Sequence, residues 1–480
     1  MNFNSIIFAV FMTIVFFLYW KIPDKYRWVL LLVASCYFYI GFGIYFFALV
    51  LIVTVFSYLS GLAVGSGENC DIRKTVISGS VIVILCILAY FKYAVFLAQT
   101  VNDILELVTI QLHPFTQEIA LPVGISFYSF KALSYVIDVY RGKKPEANLG
   151  RYAAYMLFFP EIASGPIDRA DSLLHQLTKA HKFSYEKVNY GLKLVAWGLY
   201  KKIIVADTLA FFVDWVYGAY DTFRGFALLL TSLFFTIQIY CDFSGYSDMA
   251  IGLSKMFDIE VMENFKSPYF STSIREFWRR WHISLSTWFR DYLYIPLGGN
   301  RAGRGRKNIN LLITFLISGL WHGANWTFVF WGGIHGMAQI LEDVCKRLIP
   351  MQKNNSLWKR CLKTILVFAF CNFAWIFFRA DTIEQAWYFI AHMLDGVSHP
   401  VQYIMTAQQR MIIDKFLLGK IAIMIFLVFI FDLFNKDRDV IALISNQKKV
   451  VRWSIYVIFS FIIIIFLPVA PGTDFLYFQF

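Results

Sequence analysis

The sequence predicts an all-α, polytopic membrane protein, and three observations carry that fold class. Of its 480 residues, 58% are hydrophobic and 16% are charged, against about 45–50% and about 25% in soluble domains. Mean hydropathy is +0.57. Apolar runs recur along the whole length, among them Phe3–Tyr19, Val29–Leu62, Val76–Tyr90 and Ile421–Phe434, and one spanning helix needs roughly 20 mainly apolar residues.

The runs predict about eleven transmembrane helices in one membrane domain covering residues 1–480. The first run has no basic start, and Tyr19-Trp20-Lys21 is no small-residue cleavage site, so it reads as a membrane segment rather than a cleaved signal peptide. Loops such as Gly65–Lys74 and Met351–Lys359 are connectors too short to fold alone. The seven cysteines have no C-x-x-C spacing and several sit in apolar runs. They predict neither a disulfide framework nor a metal site.

"LPVGISFYSFKALSYVIDVYRG", from Leu121, opens with Pro122 and Gly124, which permit a broken helix start. "FFPEIASGPIDR", from Phe158, holds too many helix breakers for a simple span and predicts a re-entrant or cavity-lining turn that carries Asp168. "QIYCDFSGYSDMAIG" sets Asp242 and Asp248 in an apolar run. Intramembrane acids face a cavity or a partner, so all three aspartates are cavity candidates, with structural pairing as the equally simple reading.

In "SIREFWRRWHISLSTWFRDYLYIP", Ser273 to Pro296, Trp278, Trp281, Leu285, Trp288 and Tyr292 share one helical face. Arg275, Arg279, His282, Ser286 and Arg290 share the other. Such a helix is expected to lie at the membrane interface, with His282 projecting from the basic face. From this stretch alone, a solvated histidine is the simplest reading. Between Lys255 and Lys307 there are ten Lys/Arg against five acids, which predicts a cytoplasmic face contacting anionic groups. Nucleic acid is not expected, because these charges lie among membrane segments beside Trp and Tyr.

"LISGLWHGANW", Leu316 to Trp326, places a histidine after an apolar helix. Entering near Asn308, that helix rises roughly 21 Å before His322, deep into a bilayer. The histidine is either a hydrogen-bonded packing residue or chemically active. His335, in "WGGIHGMAQ", is a weaker candidate among small residues that suit close helix packing. No G-x-S-x-G, H-E-x-x-H or G-x-x-x-x-G-K-[ST] occurs, which removes support for serine-triad, zinc-peptidase and P-loop chemistry. A transporter would suit the intramembrane charges, but no duplicated halves are visible.

"REFWRRWHISLSTWFRDYLYIPLGG" followed by "LLITFLISGLWHGANWTFVFWGGIHG" resembles the membrane-bound O-acyltransferase family. The likeness is nearest to its bacterial branch, of the alginate O-acetyltransferase and D-alanyl transfer types. "GISFYSFKALSYVIDVYRG" and "FFPEIASGPIDR" resemble further stretches of that branch, so the motif-bearing core runs from about residue 121 to 340. The resemblance implies a ring of tilted helices around a funnel in the bacterial cytoplasmic membrane. It implies His322 as the catalytic residue and His282 as its companion. It also implies a cytoplasmic thioester donor, such as acetyl-CoA or an acyl carrier, with no bound cofactor or metal.

Acetyl transfer to alginate, peptidoglycan or another envelope polysaccharide is the expected activity, with a separate extracytoplasmic acetyltransferase as partner. D-alanyl transfer to teichoic acid is the alternative, since "SGPIDR" is nearer to the D-alanyl form. His322 would take the acceptor's proton, and Asn325 would bind the oxyanion or position the site. Arg275, Arg279, Arg280 and Arg290 would hold an anionic donor. The aromatic tail "PGTDFLYFQF", residues 471–480, is either an interfacial belt or, by resemblance to acyl-relay systems, the carrier of an acyl group on Tyr477.

Overall fold

The computed structural model describes residues 3–67, 69–106, 119–301, 303–348, 356–466 and 475, and among them the chain forms helices and turns with no strand. Six described helices are long and apolar enough to cross a membrane: Ile44–Ser66, Cys70–Glu106, Phe226–Met256, Leu357–Arg379, Lys415–Asn435 and Lys449–Phe466. The shorter Ile6–Lys21 is equally apolar. Gly303–His322 and Trp326–Leu348 match these in length but carry charge at one end: Arg304, Arg306 and Lys307 on the first, Glu342 to Arg347 on the second. Two of these helices, Cys70–Glu106 and Lys449–Phe466, keep large apolar side chains exposed, as with Ile82 and Leu97 or Trp453 and Phe461. A lipid solvent covers that kind of surface.

The chain divides into two compact units, Met1–Leu192 with Ala250–Met262, and Lys193–Met249 with Glu263–Gln479. In the first, Ser5 caps the opening helix by accepting from the Phe8 N–H at 3.1 Å. Gly124, at φ +73°, starts Ile125–Tyr140, and a Cβ there would lie 2.1 Å from the Ile162 carbonyl oxygen. The backbone passes so closely because the "FFPEIASGPID" stretch is a fully buried turn rather than a helix. Buried irregular backbone needs polar partners. Phe159 N–H donates to Ser35 Oγ at 3.0 Å, and Lys131 joins Glu161 at 2.7 Å. Asp168, completely buried at the end of the turn, accepts from the Met262 N–H at 3.1 Å.

In the second unit, Gly303–His322 and Trp326–Leu348 pack backbone against backbone. A Cβ on Gly319 would stand 2.2 Å from the Phe328 carbonyl oxygen, and one on Gly332 would stand 2.3 Å from that of Phe315. Small residues permit this approach in membranes, where dispersion contacts replace the hydrophobic effect. The π-helical turn Tyr200–Ala206 places two buried lysines on successive residues.

Candidate active site

The site lies wholly in the second unit and begins with a capping box. Ser273 Oγ accepts from the Glu276 N–H at 3.0 Å, and Glu276 Oε2 accepts from the Thr272 N–H at 2.9 Å. The first-turn N–H groups of Ile274 and Arg275 donate to Glu342 Oε2 at 2.8 and 3.4 Å, and the helix Ile274–Arg280 follows. The continuous interfacial helix expected over 273–296 does not form. The chain breaks at Trp281–His282, restarts as Ile283–Phe289 and ends in a π-helical turn, Arg290–Tyr294.

His282 takes φ +42° at the break, a left-handed conformation that L-residues rarely adopt. Asn264 supports it from outside the stretch. Its carbonyl oxygen accepts from Ile283 N–H at 3.0 Å, and its Oδ1 accepts from the Ser284 N–H and hydroxyl at 3.2 and 2.6 Å. Because the break turns the chain, Trp281 and His282 both enter the core, each completely buried. The solvated histidine on a basic face is thus corrected.

His322 ends its helix and is 2% exposed. Its ring stands edge-on to Trp331 at 5.2 Å and near Phe378 at 5.4 Å. His282 packs on Phe243 at 4.6 Å. The two histidine rings lie 6.3 Å apart between centroids, so residues forty positions apart in sequence form one buried pair.

A cavity of about 370 Å³ approaches this pair. Arg275, Arg279, Arg290 and Lys307 line it together with the apolar Trp278, Leu285, Phe289, Leu311 and Phe315. Its wall includes Ser286 and Ser318, each one helical turn from a histidine. The histidines themselves are not on that wall. Arg275 and Lys307 share Asp343, and Arg290 holds Asp291 at 2.7 Å. Arg280, expected with the donor-binding arginines, pairs instead with Glu276 at 3.0 Å and donates to the Lys266 carbonyl at 3.1 Å, off the cavity. The capping-box glutamate reclaims it.

Asp242 and Asp248, expected at a cavity, do not line this one. Lys202 pairs with Asp242 at 2.6 Å and Asp207 at 2.9 Å, and Lys201 with Asp248 at 2.6 Å. Asp168 belongs to the first unit's buried turn. Sequence reading passed over the two lysines, although "YKKIIVAD" is itself an apolar stretch whose charges need partners. Asn325 caps the next helix: its Oδ1 accepts from the Thr327 N–H at 3.0 Å, while its Nδ2 donates to the Asp381 carbonyl at 2.8 Å. Both polar ends of the Asn325 side chain are thereby engaged where the helix begins.

Tyr477 lies outside the described residues. Phe475 is described and is 1% exposed, with its ring 5.0 Å from Tyr246 and the Lys202 ammonium 4.5 Å above it. Among the described residues, no group of three or more His, Cys, Asp or Glu side chains could hold a metal ion.

Residues 77–382 match the model of the MBOAT, membrane-bound O-acyltransferase family. The chain is 43% identical over 398 residues to a probable alginate O-acetylase AlgI of Azotobacter vinelandii, covering 82% of this chain and 78% of the relative. It is 32% identical to a peptidoglycan O-acetyltransferase of Helicobacter pylori, over 77% of this chain and 74% of the relative. A teichoic acid D-alanyltransferase of Streptococcus thermophilus is more distant, 27% identical over 59% of this chain and 75% of the relative.

Proposed function

The chain belongs to the membrane-bound O-acyltransferase family, and from that membership we propose that it acetylates hydroxyls of a cell-envelope polysaccharide with His322 as general base. As a family member it is an O-acyltransferase of the bacterial inner membrane. Alginate and peptidoglycan, the polymers in the names of its relatives, define the class of acceptor. The observation that carries the reading is the buried His282–His322 pair, 6.3 Å apart, above a cavity with a basic mouth.

The donor is a thioester carrying phosphate, either coenzyme A or a phosphopantetheine carrier. Its anionic part meets Arg275, Arg279 and Arg290, and its acyl end follows the apolar wall of Trp278, Leu285 and Phe315. Lysine and arginine excess supports a cytoplasmic placement of this side. A neutral hydroxyl is a poor nucleophile. An imidazole, with an ordinary pKa of about 6.5, takes its proton as the oxygen attacks the thioester carbon. The C–O bond forms, the C–S bond breaks, and the thiolate leaves and recovers the proton. His282 orients donor or acceptor, and Asn325 fixes the turn that follows His322 through its two hydrogen bonds.

The aromatic segment extends this scheme. In a relay, the Tyr477 phenol oxygen attacks the thioester first, losing its proton to His322, and the acceptor hydroxyl then displaces the phenol. A phenol, with pKa about 10, is a better leaving group than a sugar hydroxyl, so the acyl-tyrosine stays reactive. Phe475 supports the relay. It is seated on Tyr246, one turn along the helix from Phe243, which packs on His282, and two residues of chain reach about 7 Å. A separate extracytoplasmic acetyltransferase is the proposed partner.

The test is acyl transfer in membranes containing His322→Ala or His282→Ala protein, with labelled acetyl and D-alanyl donors. Both variants should insert normally. His322→Ala should lose at least about a hundredfold in rate, given that general base catalysis supplies about 10²–10⁴-fold. Near-normal transfer by His322→Ala would end the enzyme assignment of this residue. Labelling by D-alanine alone would move the activity to the teichoic-acid type.

A further inference from the structure

His335 takes no part in the scheme above, yet it is completely buried beside the cavity. Its Nδ1 accepts a hydrogen bond from the Trp278 indole N–H at 3.2 Å. An imidazole that accepts at Nδ1 carries its own hydrogen on Nε2 when neutral, and Nε2 has no hydrogen-bond partner among the described residues. The ring is wedged in an aromatic cage. Phe277 lies parallel at 6.2 Å and 7°, Trp331 stands at 5.0 Å, and Phe370 stands edge-on at 5.2 Å.

Buried histidine is an expensive way to fill an apolar cage, since leucine or phenylalanine would fill it without a polar atom. What it supplies here is one acceptor, aimed at one donor. The indole that it holds is a wall of the cavity, which Arg275, Arg279, Ser286 and Ser318 also line. Trp278 also packs at 5.7 Å on Trp331, the ring that stands edge-on to His322. Without its N–H anchor the indole can rotate and enlarge the cavity.

We propose that His335 is a positioning residue that locks the Trp278 indole as a gauge of acyl length, restricting the cavity to short acyl groups. The lock depends on hydrogen bonding rather than size. It rests on the reading that this cavity holds the donor's acyl end.

The experiment compares acetyl and butanoyl thioesters as donors for the full-length protein in membranes. His335→Leu should raise the butanoyl-to-acetyl ratio of kcat/KM about tenfold or more, through a lower acetyl kcat, since misplacing a reacting group by 1 Å costs about a hundredfold. The donor KM should stay within about twofold, because the basic mouth is untouched. His335→Asn, whose Oδ1 stands near the position of Nδ1, should restore the wild-type ratio. Trp278→Phe removes the N–H from the other side and should reproduce the His335→Leu ratio. The double variant should add nothing further.

If His335→Leu fails to fold, Trp278→Phe alone still decides: an unchanged ratio overturns the proposal. An unchanged ratio in both, with reduced thermal stability, makes His335 a packing residue only. Leu311→Trp, which fills the cavity, separates the two readings. A donor KM that does not rise removes the donor from this cavity. A raised KM with no change of ratio in the His335 variants overturns the gauge alone.

Discussion

A methyl group at Gly319 should cost this enzyme about a hundredfold in acyl transfer while leaving membrane insertion intact. The Cβ built there lies 2.2 Å from the Phe328 carbonyl oxygen, and Cβ contacts below 3.0 Å essentially never occur, so the two helices must part by about 0.8 Å. The neighbour is backbone and cannot rotate away. His322, the proposed general base, lies three residues beyond Gly319 on the same helix, and Trp331, 5.2 Å from its ring, precedes the facing Gly332, so the separation passes directly to that ring contact. A 1 Å displacement of a reacting group costs about a hundredfold, or about 2.7 kcal/mol of barrier. Overpacking of this kind strains a protein by about 1–3 kcal/mol, which a folded protein commonly survives. The assay is acetyl transfer per inserted molecule, with insertion measured by size-exclusion of the detergent-solubilised protein. Gly333→Ala is the control, because its Cβ would meet only Leu316 Cδ2 at 3.5 Å. Activity of Gly319→Ala within twofold of wild type, or an equal loss in Gly333→Ala, would refute the close-packing account.

Arg279→Ala should raise the donor KM about tenfold with kcat nearly unchanged, the signature of lost uniform binding, whereas Arg280→Ala, held by Glu276 off the cavity, should leave KM within twofold. Asn264→Ala removes the Oδ1 that receives both the Ser284 N–H and hydroxyl. Each buried donor deprived of an acceptor costs about 1–3 kcal/mol. The variant should lose thermal stability and acyl transfer together although neither histidine is touched, and an active, equally stable variant would show that the left-handed turn does not depend on this cap. Tyr477→Phe, which deletes one oxygen, should abolish polymer acylation if the relay operates, and mass spectrometry of the wild type should find the acyl adduct on Tyr477. Normal polymer acylation by this variant would reduce the segment to an anchor.

The features the sequence disclosed are those that depend on local pattern. Apolar runs gave the helical class, and the small residues around His335, Gly332 among them, pointed to close helix packing. The Trp281–His282 break was hidden, because periodicity continues smoothly through it. Its cause, Asn264, lies eighteen residues upstream in an irregular stretch. Helical spacing alone therefore put His282 on a wet face, and only the family resemblance drew it toward His322, whose ring lies 6.3 Å away. Arg280 was grouped with its neighbours by charge, while its partner four residues earlier decided otherwise. The aspartates were recognised as costly in an apolar run, but their lysines were not, since a pairing over forty residues leaves no local trace.

The lysine–aspartate pairs also bear on how the chain enters the membrane during synthesis. Lys201 and Lys202 leave the ribosome before Asp242 and Asp248, their counter-charges some forty residues later. Asp207 emerges with them and can neutralise only one. Releasing a lysine into the middle of a bilayer costs about 2.5–3.5 kcal/mol on the insertion scale, enough to hold a segment back at the translocon. The stretch around Tyr200–Ala206 and the helix Phe226–Met256 are therefore expected to partition as a hairpin, the first waiting for the second. An aspartate-to-asparagine change at position 242 would strand the earlier segment at that step, so its damage falls on biogenesis before it can fall on catalysis.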